Sequence, residues 1–475
     1  MHKWLLILTT FVLPISANAN SLHEPAVMAQ THTWIGLAVL ICFVVAYGLV
    51  MTEDITHLNK SKPVVFAAGI IWILVATAGN MTGQSDVVNA NLNYALLEYG
   101  ELFLFLLVAM TYINFMEERG VFEALKQKLT AMGVGASGIF WLTGILAFCI
   151  SPFADNLTTA LVMCSVVLSV GKSNAKFVCL SCINIVVAAN AGGAFSPFGD
   201  ITTLMVWQNG ILSFTEFFAL FFPALVTYLI PAIILFWALP KDAVATDQSE
   251  AMHLKGSALK YGARRSIWLF AATIVTAVVF ENILHLPPAL GMMTGLGYLM
   301  FFSYWIGHRQ TKQAMAGESV DRFDIFRKVR NAEWDTLLFF YGILVCVQGL
   351  SALGYLAWAS SFFYHDMSSV APAVWTAHTQ ANTLVGVLSA IVDNIPTMFA
   401  ILTMHPDMTQ YQWLLVTLTV GTGGSLLSIG SAAGVAVMGK AKGYYTFGGH
   451  IKWIWAIALG YIAGIICHWL IAVFF

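Results

Sequence analysis

The sequence predicts an all-α polytopic membrane protein made of inverted structural repeats, with two re-entrant helical hairpins and two broken helices. Three observations predict it. Of the 475 residues, 59% are hydrophobic and only 10% charged, where soluble domains run near one half and one quarter. Apolar windows of about 20 residues, enough to carry a helix across a ~30 Å hydrocarbon core, recur between charged or Gly/Pro-rich turns. Polar interruptions of matching sequence fall inside apolar stretches of both halves. The net charge of -2 argues for neither nucleic acid nor an acidic partner; the partner this composition requires is the lipid bilayer.

The elements follow in order. Residues 1–19 place Lys3, about a dozen apolar residues and Ala17-Asn18-Ala19 in the layout of a secretory signal cleaved after Ala19, with an uncleaved first helix as the alternative. Spanning helices are expected at 33–51, 63–79, 95–116, 177–207, 214–239, 266–284, 287–306, 336–356, 410–438 and 450–474. Two further stretches, 134–170 and 379–404, are broken at their centres by Asp-Asn. Amphipathic pieces at 117–130 and 357–377 suit the membrane interface. The chain thus divides into a first repeat over 33–239 (hairpin 134–170, broken helix 177–207), a cytoplasmic linker over 240–265, and a second repeat over 266–475 (hairpin 379–404, broken helix 410–438).

Basic residues test this layout. Lys60, Lys62, Arg119, Lys126, Lys128, Lys172, Lys176, the runs within 241–265 and 309–330, and Lys440, Lys442 and Lys452 all fall on one side if ten crossings start from an outward N-terminus. The opposite loops contain no Lys or Arg. The positive-inside rule puts the basic loops in the cytoplasm and the mature N- and C-termini in the periplasm.

Five crossings, an odd number, separate Asp155-Asn156-Leu157-Thr158-Thr159 from Asp393-Asn394-Ile395-Pro396-Thr397, so the two motifs face opposite sides. Each precedes a Gly/Ser-rich break inside a spanning helix, AGGAFSPFGDITT (191–203) and GTGGSLLSIGSAAG (421–434). Upstream, EYGELFLF (98–105) resembles EWDTLLFF (333–340). Inverted repeats with interrupted helices in matching positions point to a secondary transporter.

Asp155, Asp200 and Asp393 lie in apolar stretches, where an ionised side chain costs about 2.5–3.5 kcal/mol on insertion scales. No Lys or Arg lies within the spans away from their ends to neutralise them, so they need protons or metal cations. Asn156, Asn190, Thr202, Thr203, Ser389, Asn394, Ser428 and Ser431 add amide and hydroxyl oxygens, and broken helices free backbone carbonyls. That set suits a small alkali cation and not a soft transition metal. Each feature also has a bland reading. The Asp-Asn motifs could be turns of full hairpins, although the arm 139–150 reaches only about 18 Å at 1.5 Å per residue. The small residues of 421–434 could simply permit close packing. Glu98 and Glu101, near a helix start on the outer side, suit a solvated end as well as a proton pathway. The histidines sit mostly in loops or at span edges and receive no role. The seven cysteines lie in apolar segments and read as packing, Cys179-Leu-Ser-Cys182 included.

Across SPFADNLTTALV (151–162), NAGGAFSPFGDITTLMVW (190–207), DNIPT (393–397) and GGSLLSIGSAAG (423–434), the chain closely resembles the NhaD-type sodium/proton antiporters. It is more distantly similar to arsenite exporters and sodium-coupled dicarboxylate carriers of the wider ion transporter superfamily. That resemblance implies hairpins meeting broken helices near the midplane, elevator-type movement against a scaffold, and often a homodimer. The dicarboxylate branch carries a Ser-Asn-Thr signature at each tip. Here Asp precedes Asn at both tips, which disfavours an anionic substrate; neutral arsenite is harder to exclude. The expectation is a bacterial inner-membrane carrier that exchanges Na+, and Li+, for H+. Asp155, Asn156, Asp200, Asp393 and Asn394 would bind the ions, and no cofactor is implied. A membrane-embedded hydrolase using Asp155 and Asp393 finds no support, since neither an HExxH motif nor a nucleophile with a placed His is present.

Overall fold

In lipid an apolar segment must satisfy its own backbone groups, and a helix does so within one segment. The chain folds accordingly. The computed structural model describes residues 26–240, 259–315, 325–365 and 377–474, apart from 57, 133, 172 and 173; the described residues form helices and no strand. The signal over 1–19, Lys172, most of the linker over 240–265 and residues 366–376 of the second interfacial piece lie outside the described residues.

The first half runs through α1 (Trp34–Met51), α2 (Ser61–Thr82), α3 (Ser85–Glu118), α4 (Val121–Ala131), α5 (Ala136–Ala154), α6 (Asn156–Gly171), α7 (Ala175–Gly193), α8 (Ile201–Gln208) and α9 (Phe221–Trp237). The second continues through α10 (Ala263–Asn282), α11 (Pro288–Met315), α12 (Trp334–Ala352), α13 (Ala377–Val392), α14 (Asn394–Met404), α15 (Gln410–Gly423), α16 (Ala432–Lys440), α17 (Phe447–Ile451) and α18 (Ile454–Phe474). Local chemistry sets several starts. The side chains of Thr33, Asn174, Thr409, Ser431 and Thr446 each accept a first-turn N–H, satisfying a donor the helix cannot. At the other end of α2, Gly83 adopts φ 69° as its C-cap, a conformation glycine takes at no steric cost.

Ten helices among the described residues are long and apolar enough to cross a membrane, so the chain is an all-α polytopic membrane protein. The count equals the expected number of crossings, yet the membership differs. Ala136–Ala154 qualifies by itself, whereas 410–438 is divided between α15 and α16. The arm before Asp155 has 19 residues, about 28 Å of helix, so its length alone does not stop the tip short of a full crossing. The expected loop 80–94 is also shorter than anticipated, because α3 begins at Ser85 and runs for 34 residues. Its polar first turns are held from outside: Asn91 Nδ2 donates to the Ala26 carbonyl at 3.1 Å, and Gln348 Nε2 donates to Asn91 Oδ1 at 2.9 Å. The last expected span separates into α17 and α18.

Two groups of helices result. In one, α1 packs on α2, α2 and α3 on α12, and α3 and α10 on α11. In the other, α5 and α6 pack on α7, α13 and α14 on α15, α16 on α6 and α9 on α18. The most enclosed of the long spans are α7 in the second group and α12 in the first. Outward faces carry large apolar side chains such as Trp237 and Phe301, each 80% exposed, as a lipid-facing surface does.

Candidate cation site

Two helices that stop in mid-structure and two hairpins that turn there supply the site. Break 1 lies between α7 and α8, and break 2 between α15 and α16. Tip 1 is Asp155, between α5 and α6; tip 2 is Asp393, between α13 and α14. Tip and break are fitted backbone to backbone. A Cβ on Gly192 would run into the Phe148 carbonyl, and one on Gly423 into the Gly386 carbonyl. Hydroxyls tie the same elements: Ser151 Oγ donates to the Ala189 carbonyl at 2.6 Å, Ser196 Oγ to the Pro152 carbonyl at 2.8 Å, and Ser389 Oγ to the Val420 carbonyl at 3.0 Å.

Both tip acids hold positive φ, 51° at Asp155 and 76° at Asp393, among few non-glycine residues that do. Each caps the helix that follows. Asp155 accepts from the Thr158 N–H at 2.7 Å and from Thr158 Oγ1 at 3.0 Å, and Asp393 Oδ1 accepts from the Asn394 N–H at 2.7 Å. The adjoining asparagines reach across to the breaks. Asn156 Nδ2 donates to Asn190 Oδ1 at 3.1 Å; Asn190 Nδ2 donates to Ser425 Oγ and Ser431 Oγ, both at 2.9 Å. From tip 2, Asn394 Nδ2 donates to Asp200 Oδ2 at 2.8 Å.

A cavity of about 480 Å³ opens between the two helix groups and is lined by Asp155, Asn156, Asp200, Asp393 and Asn394 together. The five residues expected to bind ions therefore share one space. Asn190 and Ser431 join through hydrogen bonds, and Thr203 Oγ1 closes break 1 on the Ser196 and Asp200 carbonyls at 2.8 and 2.7 Å. Thr202 is fully buried beside Asp200. The remaining expected residues take other places. Ser389 staples α13 to α15, and Ser428 Oγ turns toward Met438 Sδ at 3.9 Å. Glu98 accepts from Asn209 Nδ2 at 3.1 Å, at the C-terminal end of α8, away from the cavity; Glu101 is likewise outside its lining.

Four participants were missed from the sequence. Ser425 lies in the quoted glycine-serine run and differs from Ser428 only in the direction the break gives it. Lys60, counted among the basic loop residues, and Glu333, quoted only as the start of EWDTLLFF, line the cavity. His450 is fully buried, with Nε2 on the Ser425 carbonyl at 2.9 Å and Nδ1 on Tyr445 Oη at 2.8 Å. Its neutral ring donates to the carbonyl and accepts from the phenol. The donor set fits a hard cation: Asp200 carboxylate, Thr202 hydroxyl and the Asn394 Oδ1 amide oxygen, which is buried without a hydrogen bond, are all oxygen. Cys182 lies 3.9 Å from Cys164, not paired with Cys179, and the described cysteines are free.

Comparison with known proteins gives the family. The family model described as citrate transporter matches residues 26–421. The Na(+)/H(+) antiporter NhaD of Vibrio cholerae serotype O1 is 52% identical over 93% of this chain and 93% of its own. That of Alkalimonas amylolytica is 50% identical over 98% and 97%, and that of Vibrio parahaemolyticus 56% over 85% and 98%. Identity at this level over nearly the whole length of each partner, on a chain with acidic tips and broken helices, leaves one conclusion: the chain belongs to the NhaD-type antiporters of the citrate transporter family.

Proposed function

We propose that this protein is a secondary active antiporter that exchanges cytoplasmic Na+, and Li+, for external H+ across the bacterial inner membrane. One geometric observation carries the reading. Asp155, Asp200 and Asp393 line a single cavity whose only basic lining residue, among those described, is Lys60. Carboxylates gathered away from bulk water with so little fixed counter-charge require protons or cations. Cation and proton then compete for the same groups, and competition couples their movements. Asn156, Asn190, Thr202, Thr203, Asn394 and Ser431 shape the oxygen cage, while Ser389 and Ser428 support the elements that carry it. Glu98 and Glu101 are assigned to the outer proton approach.

The two repeats, 33–239 and 266–475, supply opposed gates by their inverted topology, the hairpins re-entering from opposite faces. The group bearing tips and breaks moves as an elevator against the other group, and the proton gradient drives cation out. Basic loops face the cytoplasm, mature termini the periplasm, and two copies form a homodimer. A citrate-like anion fits poorly, since Glu53, Glu117 and Glu333 line the same cavity as the three aspartates and like charges repel.

Everted vesicles from an antiporter-deficient bacterium test the reading. Added sodium should dissipate an imposed pH gradient, and Asp155→Asn should abolish that response. Vesicles that relieve arsenite sensitivity without any sodium response would replace the reading with metalloid transport.

A further inference from the structure

Two places in the site are built alike and filled differently. Asp200 and Ser431 stand before α8 and α16 in the same extended conformation, φ -145°, ψ 152° and φ -148°, ψ 149°. Asn190 and Gly421 each lie two residues before the glycine that packs on a hairpin carbonyl, Gly192 and Gly423 respectively. Each place is closed by the asparagine of one tip. Place A gathers Asn190, Ser431 and Asn156; place B gathers Gly421, Asp200 and Asn394.

In place A the Asn190 amide fills the centre. Its Nδ2 lies 2.9 Å from Ser425 Oγ and 2.9 Å from Ser431 Oγ, and its Oδ1 takes the Asn156 donor. In place B the matching residue is glycine, and a Cβ there would lie 3.8 Å from Thr202 Oγ1 and 3.9 Å from Asp200 Oδ2. Asn394 Oδ1 is buried there without a hydrogen bond, and Thr202 Oγ1 lies buried beside the Asp200 carboxylate. A buried oxygen left unsatisfied is unfavourable, so a ligand that engages it is favoured. An amide nitrogen and a small cation satisfy the same kind of oxygen cage; one place already has the nitrogen.

We propose that the protein binds a single Na+ per chain, in place B between Asp200, Thr202 and Asn394 beside Gly421, and that the Asn190 amide permanently substitutes for a cation in place A. Asn190 thereby sets the number of cations carried. The inference rests on the cation-exchange reading above.

Equilibrium binding of radiolabelled sodium to the purified full-length protein tests it. The expected result is one sodium per chain in the wild type and none in Asp200→Asn. Asn190→Asp turns the substitute into a carboxylate ligand beside the Ser425 and Ser431 hydroxyls and should bind two; adding Ser431→Ala should return it to one. Should Asn190→Asp fold poorly, Asn190→Gly opens place A without added charge. Sodium should then still raise the thermal stability of the Asn190→Gly/Asp200→Asn double variant. Two sodium ions in the wild type, or one in Asn190→Asp together with no sodium-dependent stabilisation of the double variant, overturns the inference. A wild type that binds no sodium would instead overturn the exchange reading itself.

Discussion

Replacing Asp393 by glycine and by alanine separates what the tip backbone needs from what its carboxylate does. Asp393 sits at φ 76°, ψ 145°, a region where residues other than glycine are strained by about 1–3 kcal/mol. Its Oδ1 caps the Asn394 N–H at 2.7 Å, which returns about 1 kcal/mol. Alanine keeps the strain and loses the cap, and should be less stable by about 0.5–2 kcal/mol. Glycine removes the strain, loses only a few tenths as a cap, and gives up about 0.5–1 kcal/mol through the freer unfolded chain. It should therefore land between roughly unchanged and about 2 kcal/mol more stable.

The readout is a ranking. Apparent unfolding temperatures of detergent-solubilised protein, followed by tryptophan fluorescence at one scan rate, should fall in the order glycine at or above aspartate, then alanine. A fixed scan rate matters because unfolding of a large membrane protein is commonly irreversible. Both variants lack the carboxylate, so both should lose sodium-dependent exchange in vesicles. Alanine matching or exceeding glycine in stability would refute the strain argument. Exchange surviving in the glycine variant would remove the Asp393 carboxylate from ion handling.

Other substitutions probe separate links. Lys60 lines the cavity with its Nζ 4.9 Å from the Phe339 ring centroid; Lys60→Met removes the competing charge and should lower the KM for sodium several-fold, most clearly at low ionic strength. Asn394→Ala removes both the 2.8 Å donor that orients Asp200 Oδ2 and the amide oxygen proposed to face the cation; an interaction with a charged group is worth about 1.5–3 kcal/mol, so sodium affinity measured by binding should fall by about tenfold or more. Gly423→Val drives a Cβ into the Gly386 carbonyl and adds two methyl groups beyond it, and the yield of monodisperse protein in size-exclusion chromatography should collapse. His450→Leu leaves the Ser425 carbonyl without its donor, costing about 1–3 kcal/mol. His450→Gln should recover much of the lost thermal stability, because its amide can donate again; no recovery would show that ring packing, not donation, is what matters.

Much of this was legible because membranes reduce the choices. A run such as Trp34–Met51 has one fate in lipid, and an Asp-Asn pair inside another such run has few. The two Asp-Asn motifs quoted from the sequence lie between α5 and α6 and between α13 and α14. What stayed hidden depends on direction. Ser425 and Ser428 are three residues apart in one irregular segment, and composition cannot tell that one hydroxyl receives the Asn190 amide while the other turns to Met438. His450 looked like a helix-edge residue because the return of α17 onto α7 is a tertiary event. Lys60 was counted with its loop, although the cavity wall brings it toward the tips. The start of α3 was misplaced since polarity suggested loop, whereas Asn91 is held by Ala26 and Gln348 from distant parts of the chain.

The helix ends explain why acids stand at these junctions. Each of the four places, two tips and two breaks, joins a helix C-terminus to a helix N-terminus, so free carbonyls and free N–H groups converge together. A cation welcomes the carbonyls and is repelled by the partly positive N–H ends. A side chain that occupies the N–H end resolves this conflict. Asp155 does so through the Thr158 N–H, Asp393 through the Asn394 N–H, and Ser431 through the Gly434 N–H at 3.2 Å. Asp200 differs: beside the Ile201 and Thr202 N–H groups, its carboxylate also takes the Asn394 Nδ2 donor of tip 2 at 2.8 Å. Asp155 and Asp393 thus cap their own helices, whereas Asp200 joins its carboxylate to the asparagine of a hairpin tip. In a site proposed to trade cation for proton, that is the residue whose occupancy has to change.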